Sequence, residues 1–157
     1  MNTAKHKLLA SCFGVLLCSM VIADEHQIKQ VVPAAERERA AAQKLSGPTQ
    51  NRGVESVTPI GSVALDNEIS DIKGHSLRAR EIVIAPGGVI AVHEHHARPG
   101  VAYILEGEIV EHRNDHPEPL LRRQGDAAFE KTGVAHWWEN RSDKKVRALV
   151  VDIVPTP

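Results

Sequence analysis

The chain reads in three stretches of different texture. Residues 8–22 form an almost unbroken apolar run, preceded by Lys5, His6 and Lys7. Residues 24–52 are polar and rich in alanine, glutamate and arginine. From Val54 the pattern changes to short apolar or alternating runs broken by glycine and proline. In the middle stretch, Pro33 to Leu45 predicts one helix. Pro33 suits a first-turn position, and Ser46-Gly47-Pro48 stops the helix. Its apolar stripe is thin and mostly alanine, which predicts a solvated or loosely docked helix.

The third stretch predicts strands at Val54–Val57, Gly61–Leu65, Ser76–Ile84, Val89–His93, Val101–Glu106, Glu108–Arg113, Ala127–Phe129, Ala135–Glu139 and Val146–Ile153. Breakers fall between them, among them Pro59, Gly74, Pro86-Gly87-Gly88, Pro99-Gly100, Gly107, Pro117 to Pro119, Gly125 and Gly133. Many short strands with regular turn signals indicate an all-β sandwich or barrel.

Composition sharpens this picture at the N-terminus. The basic start, the apolar run and Val21-Ile22-Ala23 together predict a signal peptide cleaved after Ala23. The run is short for a transmembrane helix, which needs roughly 20 apolar residues, so no stable membrane span is expected after cleavage. A retained anchor, or a lipobox at Leu9-Ala10-Ser11-Cys12, is the weaker alternative. The predicted organisation is a signal peptide over 1–23, a helical arm over 24–53 and a barrel domain over 54–157, exported to the periplasm. Cleavage removes both cysteines, Cys12 and Cys18, and moves the net charge from −1 to −3 by taking Lys5 and Lys7. The mature chain therefore has no disulfide, thiolate ligand or cysteine nucleophile. Apolar residues at 42% and charged residues at 25% fit one soluble domain. Nothing in the charge balance calls for nucleic acid as a partner.

Candidate chemistry sits in His93-Glu94-His95-His96. Side chains alternate along a strand, so His93 and His95 share a face, and Glu94 and His96 point away. Two imidazoles on one face can hold one ion. The motifs around them carry a resemblance. Gly87, then His93 and His95, then Gly107 follow the spacing of the first motif of the cupin superfamily, and Tyr103-Ile104-Leu105-Glu106-Gly107-Glu108 resembles its usual hairpin ending. Gly125, Gly133, His136 and Asn140 fall at the spacings of the second motif. The resemblance spans about residues 54–154 and implies a jelly-roll barrel of the small single-domain type. Such barrels commonly form dimers, so it also implies a homodimer.

The sequence departs from the motifs at two places. Lys131 replaces a turn proline, and Gly100 stands where the metal-binding glutamate would fall. What the resemblance then implies is a divalent transition metal held by His93, His95 and His136 alone, as in some three-histidine dioxygenases. Iron, manganese, nickel, copper and zinc all remain open. Two alternatives accompany it: a barrel that has lost its metal, or a fourth ligand from Glu106, Glu108 or another residue. Imidazoles must be deprotonated to bind, so affinity should fall below about pH 6.5.

Trp138 shares the face of His136 by alternation, and Ala102 and Ile104 share the face of residue 100. These three are the expected pocket walls around a small-molecule ligand. Trp137 should pack outside the barrel, and Asn140 should fix a turn. Arg78 and Arg80 share one face; they could bind a carboxylate if that face lined the cavity, but a solvated face is the expectation. His75, His112 and His116 are expected in loops. The pocket offers no candidate general acid or base. Two functions follow. One is a metal-dependent oxygenase of a small organic substrate; the other is a non-catalytic cupin that captures a metal or small ligand.

Overall fold

A computed structural model of the chain describes residues 32–156. The expected signal segment lies outside them. Among these residues the one helix is α1 (Ala34–Ala42), and the eight strands are β1 (Arg52–Ala64), β2 (His75–Glu94), β3 (Gly100–Glu106), β4 (Glu108–Arg113), β5 (Leu120–Arg123), β6 (Ala127–Glu130), β7 (Ala135–Glu139) and β8 (Val146–Pro155). They form one antiparallel sheet in the order β5-β4-β7-β2-β8-β3-β6, with β1 paired to β2. The sheet curls into a nearly closed barrel. This is the all-β architecture that the strand pattern predicts.

β2 organises the barrel. Its first half pairs with β8, from His75 opposite Pro155 to Ile84 opposite Val146. Its second half pairs with β7, from Val89 opposite Glu139 to Glu94 opposite Ala135. The exchange of partners occurs at Pro86-Gly87-Gly88, a segment expected to separate two strands. Here it bends one strand between two neighbours. Gly87 takes a φ of +70°, and a Cβ on Gly88 would lie 2.7 Å from Ile84 Cγ2. Only glycine suits that backbone and that approach. Asn140, fully buried, locks the bend. Its Nδ2 donates to the carbonyls of Ala85 (3.0 Å) and Lys144 (2.8 Å), and its Oδ1 accepts from the Ser142 N–H (3.1 Å).

β1 likewise joins two expected strands into one across Pro59. Proline is tolerated because β1 pairs on one side only, with a register irregularity just after it. β5 was not expected; it is a four-residue edge strand beside β4.

Alternation sets the interior. On β8, Val146, Ala148, Val150 and Asp152 are buried while the residues between them are more exposed. With Ile82, Ile84, Ala102, Ile104, Ile109 and Trp138, the three apolar residues of that set make one cluster. The helix is more firmly docked than its composition suggests. Ala40 is fully buried, and the Glu36 carboxylate accepts from Nε and Nη2 of Arg98, the latter at 2.7 Å. Pro33 caps the helix rather than filling its first turn. Among the described residues, no helix is long and apolar enough to cross a membrane.

Candidate metal centre

Two strands deliver the three histidines. His93 on β2 stands opposite His136 on β7 in the ladder. His95 follows β2 by one residue, where the chain turns and the Arg98 N–H donates to the His95 carbonyl (3.1 Å). The alternation expected of His93-Glu94-His95-His96 holds: His93 and His95 are buried together, and His96 is exposed. Glu94 faces elsewhere and accepts from the Gly133 N–H (2.6 Å).

Inside, the three Nε2 atoms converge. His95 Nε2 lies 2.9 Å from His136 Nε2, which lies 3.1 Å from His93 Nε2. Their other nitrogens fix the tautomers. His93 Nδ1 donates to the Ala91 carbonyl (2.7 Å), and His136 Nδ1 donates to Glu111 Oε1 (2.9 Å). A carbonyl and a carboxylate can only accept, so both protons sit on Nδ1. The two Nε2 atoms are then bare lone pairs facing each other at hydrogen-bond distance with no proton between them. A cation reconciles that geometry. The donor set, all imidazole nitrogen, suits a first-row transition ion.

Electrostatics agree. Burial, and then the charge His136 would carry, push the His93 imidazole well below its ordinary range, and the same two causes together with His93 push His95 down. His93 and His95 therefore stay neutral below the pH of 6.5 expected from isolated imidazole, so protons compete for these two only at lower pH.

Glu111 on β4 was not foreseen. It is fully buried, and its carboxylate accepts from His136, from Arg113 Nη1 (2.9 Å) and from Arg122 Nε (2.9 Å). Burial alone would raise its pKa; the bonds from His136 and Arg113 prevail and hold it at about 2. An anion behind a ligating imidazole orients the ring and raises its basicity. The alternation Ile109-Val110-Glu111 was the one available signal, since it places Glu111 on an inward face.

Ala102, Ile104 and Trp138, the expected walls, line a cavity of about 40 Å³ together with His93, His95, Glu130 and Arg80. Trp138 meets the His136 ring edge-on, with centroids 5.6 Å apart. A single water needs roughly 10–15 Å³, so the space holds an ion and one or two water-sized groups.

Arg80 corrects an expectation. Arg80 is buried and Arg78 half-buried, and both turn to Asp152 on β8. Arg78 Nη2 donates to Asp152 Oδ2 at 2.9 Å, Arg80 Nη2 at 3.3 Å and Arg98 Nη1 at 2.6 Å. Arg80 is buried, and its Nε has no hydrogen-bond partner. His112 lies within β4, inside the predicted strand Glu108–Arg113 and not in the turn beyond it, and stacks on Trp137 at 3.7 Å and 2°. His75 begins β2. Trp137 packs outside the barrel, where its Nε1 donates to the Ser46 carbonyl (3.1 Å).

Comparison with known proteins agrees with the fold. Residues 80–152 match the cupin domain family. A protein of Thermus thermophilus is similar at 25% identity and a TM-score of 0.50, over 74% of this chain and 94% of that one. A predicted oxalate decarboxylase of Thermotoga maritima is similar at 23% identity and a TM-score of 0.45, over 66% and 97%. A Cupin 2 conserved barrel domain protein of Salinispora arenicola is similar at 15% identity and a TM-score of 0.47, over 71% and 82%. No curated protein matches the sequence. The barrel topology and the matched span together make this a cupin-type fold.

Proposed function

We propose that the chain is an exported member of the cupin superfamily that holds one divalent transition-metal ion on His93, His95 and His136 and oxygenates a small anionic organic substrate. The observation that carries the metal is the convergence of three buried Nε2 atoms, two of them stripped of protons by the partners of their Nδ1 atoms. Bound there, the ion would supply Lewis acidity and, for iron, manganese or copper, redox chemistry. The protein's own part is to hold His93 and His95 neutral, to wall the site with Ala102, Ile104 and Trp138, and to offer a cation beside it. Arg80 serves that last purpose. It lines the inner cavity and also an outer one of about 740 Å³ between α1 and the barrel, lined as well by Arg37, Arg39, Arg78 and Arg98. A carboxylate would be drawn along that arginine path to the ion.

Metal analysis of the mature protein, followed by oxygen-consumption assays with thiol, diketone and phenol carboxylates, tests the reading. A protein that holds no metal after reconstitution near neutral pH sinks it. The size of the inner cavity favours a second reading, a non-catalytic protein that captures a metal or very small ligand. Full metal loading with no turnover in any assay selects that one.

Export rests on the N-terminal sequence. The mass of the chain recovered from the periplasm should begin at Asp24, and an uncleaved chain in the cytoplasm refutes it. A homodimer is part of the same proposal. Tyr103 and Phe129, 41% and 72% exposed, stand on the outward face of β3 and β6. Light scattering of the mature protein reads the oligomeric state directly.

A further inference from the structure

The resemblance places an anionic ligand at residue 100, and the residue there is glycine. The structure supplies the reason. A Cβ on Gly100 would lie 2.9 Å from both Asp152 Cβ and the Val151 carbonyl. Asp152 turns inward at that point, gripped by Arg78, Arg80 and Arg98. No longer side chain fits on β3 there.

Directly across the ladder, Gly100 pairs with Glu130 of β6. Ala128 and Glu130 are the buried residues of that strand, so Glu130 points inward. Its carboxylate reaches the histidines: Oε1 is 3.7 Å from His136 Nε2, and Oε2 is 3.2 Å from His95 Nδ1. Glu130 is 5% exposed, and Oε2 has no hydrogen-bond partner, nor has His95 Nδ1. Other buried carboxylates fare differently. Glu36, Glu111 and Asp152 each accept from at least one arginine, and Glu94 accepts a backbone N–H. Glu130 alone among these receives no such bond and instead lies against the convergent imidazoles. A buried carboxylate without a donor is costly, and a bound cation is what relieves it.

We infer that Glu130 is the fourth, anionic ligand of the centre, supplied by β6 in place of a residue on β3. The inference rests on the reading that the three histidines hold a metal. It changes the centre from three neutral donors to three neutral donors and one anion, so a divalent ion there carries a net charge of +1.

The test uses the full mature chain and Co²⁺ alone, with chelator competition for affinity and the visible d–d spectrum for coordination. Wild type should bind one equivalent. Glu130→Gln, which keeps size and shape, should still bind one equivalent, but more than about 100-fold more weakly, beyond the loss expected of a supporting partner. Its spectrum should shift in position and intensity. Glu130→Asp keeps the charge on a shorter stem and should fall between the two; it also serves if the glutamine variant fails to fold. A Glu130→Gln spectrum identical to wild type overturns the inference whatever the affinity, because the carboxylate would then act only through His95. If wild type binds no Co²⁺, the metal reading itself fails. If wild type binds and His95→Ala does not, while Glu130→Gln matches wild type in affinity and spectrum, the metal reading stands and this inference alone falls.

Discussion

Glu111 Oε1 accepts the Nδ1 proton of His136 at 2.9 Å, deep in the barrel, while Arg113 donates to the same oxygen and Arg122 to Oε2. The bond determines which nitrogen of His136 is free to bind. Glu111→Gln keeps an acceptor but loses the charge and turns an amide toward two guanidiniums. Metal affinity should fall by about 10–100-fold, with stoichiometry unchanged. Competition with a chelator of known affinity checks this. Wild-type affinity would show that Glu111 only holds the barrel together.

His95 contributes a different quantity. Its ring makes no hydrogen bond to another part of the scaffold through Nδ1, and its Nε2 points only at His136. His95→Ala should therefore abolish tight metal binding while leaving the far-ultraviolet circular dichroism of the barrel intact. Unchanged stoichiometry by elemental analysis would show that the ligands are others.

Asp152 sets an acid limit on stability. Burial pushes its carboxyl up, but Arg78, Arg80 and Arg98 more than offset that and hold it below the ordinary 3.8. A depressed carboxyl stabilises the fold fully above its unfolded value, and that contribution is lost as pH falls through the native one. Stability in urea should therefore fall steeply below about pH 4, with Glu111 adding to the same limb. Asp152→Asn should cost roughly 3–5 kcal/mol at pH 7, because three guanidiniums lose their shared anion, and should make the acid limb shallower. A variant with an unaltered acid limb would exclude this cluster as its origin.

Gly100 is crowded by its neighbours more than by its own backbone. Gly100→Ala places a methyl 2.9 Å from Asp152 Cβ and from the Val151 carbonyl, so β3 or β8 must shift. The expected cost is about 1–3 kcal/mol, read as a lower urea midpoint with unchanged slope. A neutral substitution would show that residue 100 is open to a side chain after all.

The sequence made some of this legible. Period-two alternation was enough to put His93 and His95 on one face, and the resemblance of Gly125, Gly133, His136 and Asn140 to the second cupin motif brought in the third histidine. Ala102, Ile104 and Trp138 reached the cavity for the same reason. Alternation names a face, however, and says nothing about which strand lies opposite. Glu130, Glu111 and Asp152 matter through cross-strand partners: Gly100 across β3–β6, His136 across β4–β7, Arg78 across β2–β8. The bonds from Glu111 to His136 and from Arg78 to Asp152 join residues 25 and 74 positions apart, and a single strand's pattern does not encode them. The solvated reading failed here for Arg80 and held only in part for Arg78, since their shared anion lies at the far end of the chain. Pro86 and Pro59 mark interruptions in the sequence pattern of β2 and β1, whereas in the fold a bend and an unpaired edge accommodate them.

The contact between Glu36 and Arg98 gives the helical arm a role that its length conceals. Three guanidiniums gather on the single carboxylate of Asp152, and Glu36 brings the second negative charge to the group. Arg98 bears on both His93 and His95, and Arg80 on His93. A proteolytic cut between residues 43 and 51 that released the helix would leave every strand in place and every ligand present. It would also leave excess positive charge beside a cationic centre. With an ion held as proposed, loss of the arm would be felt there as repulsion, so a fragment that looks like an intact barrel would bind metal less well than the whole chain.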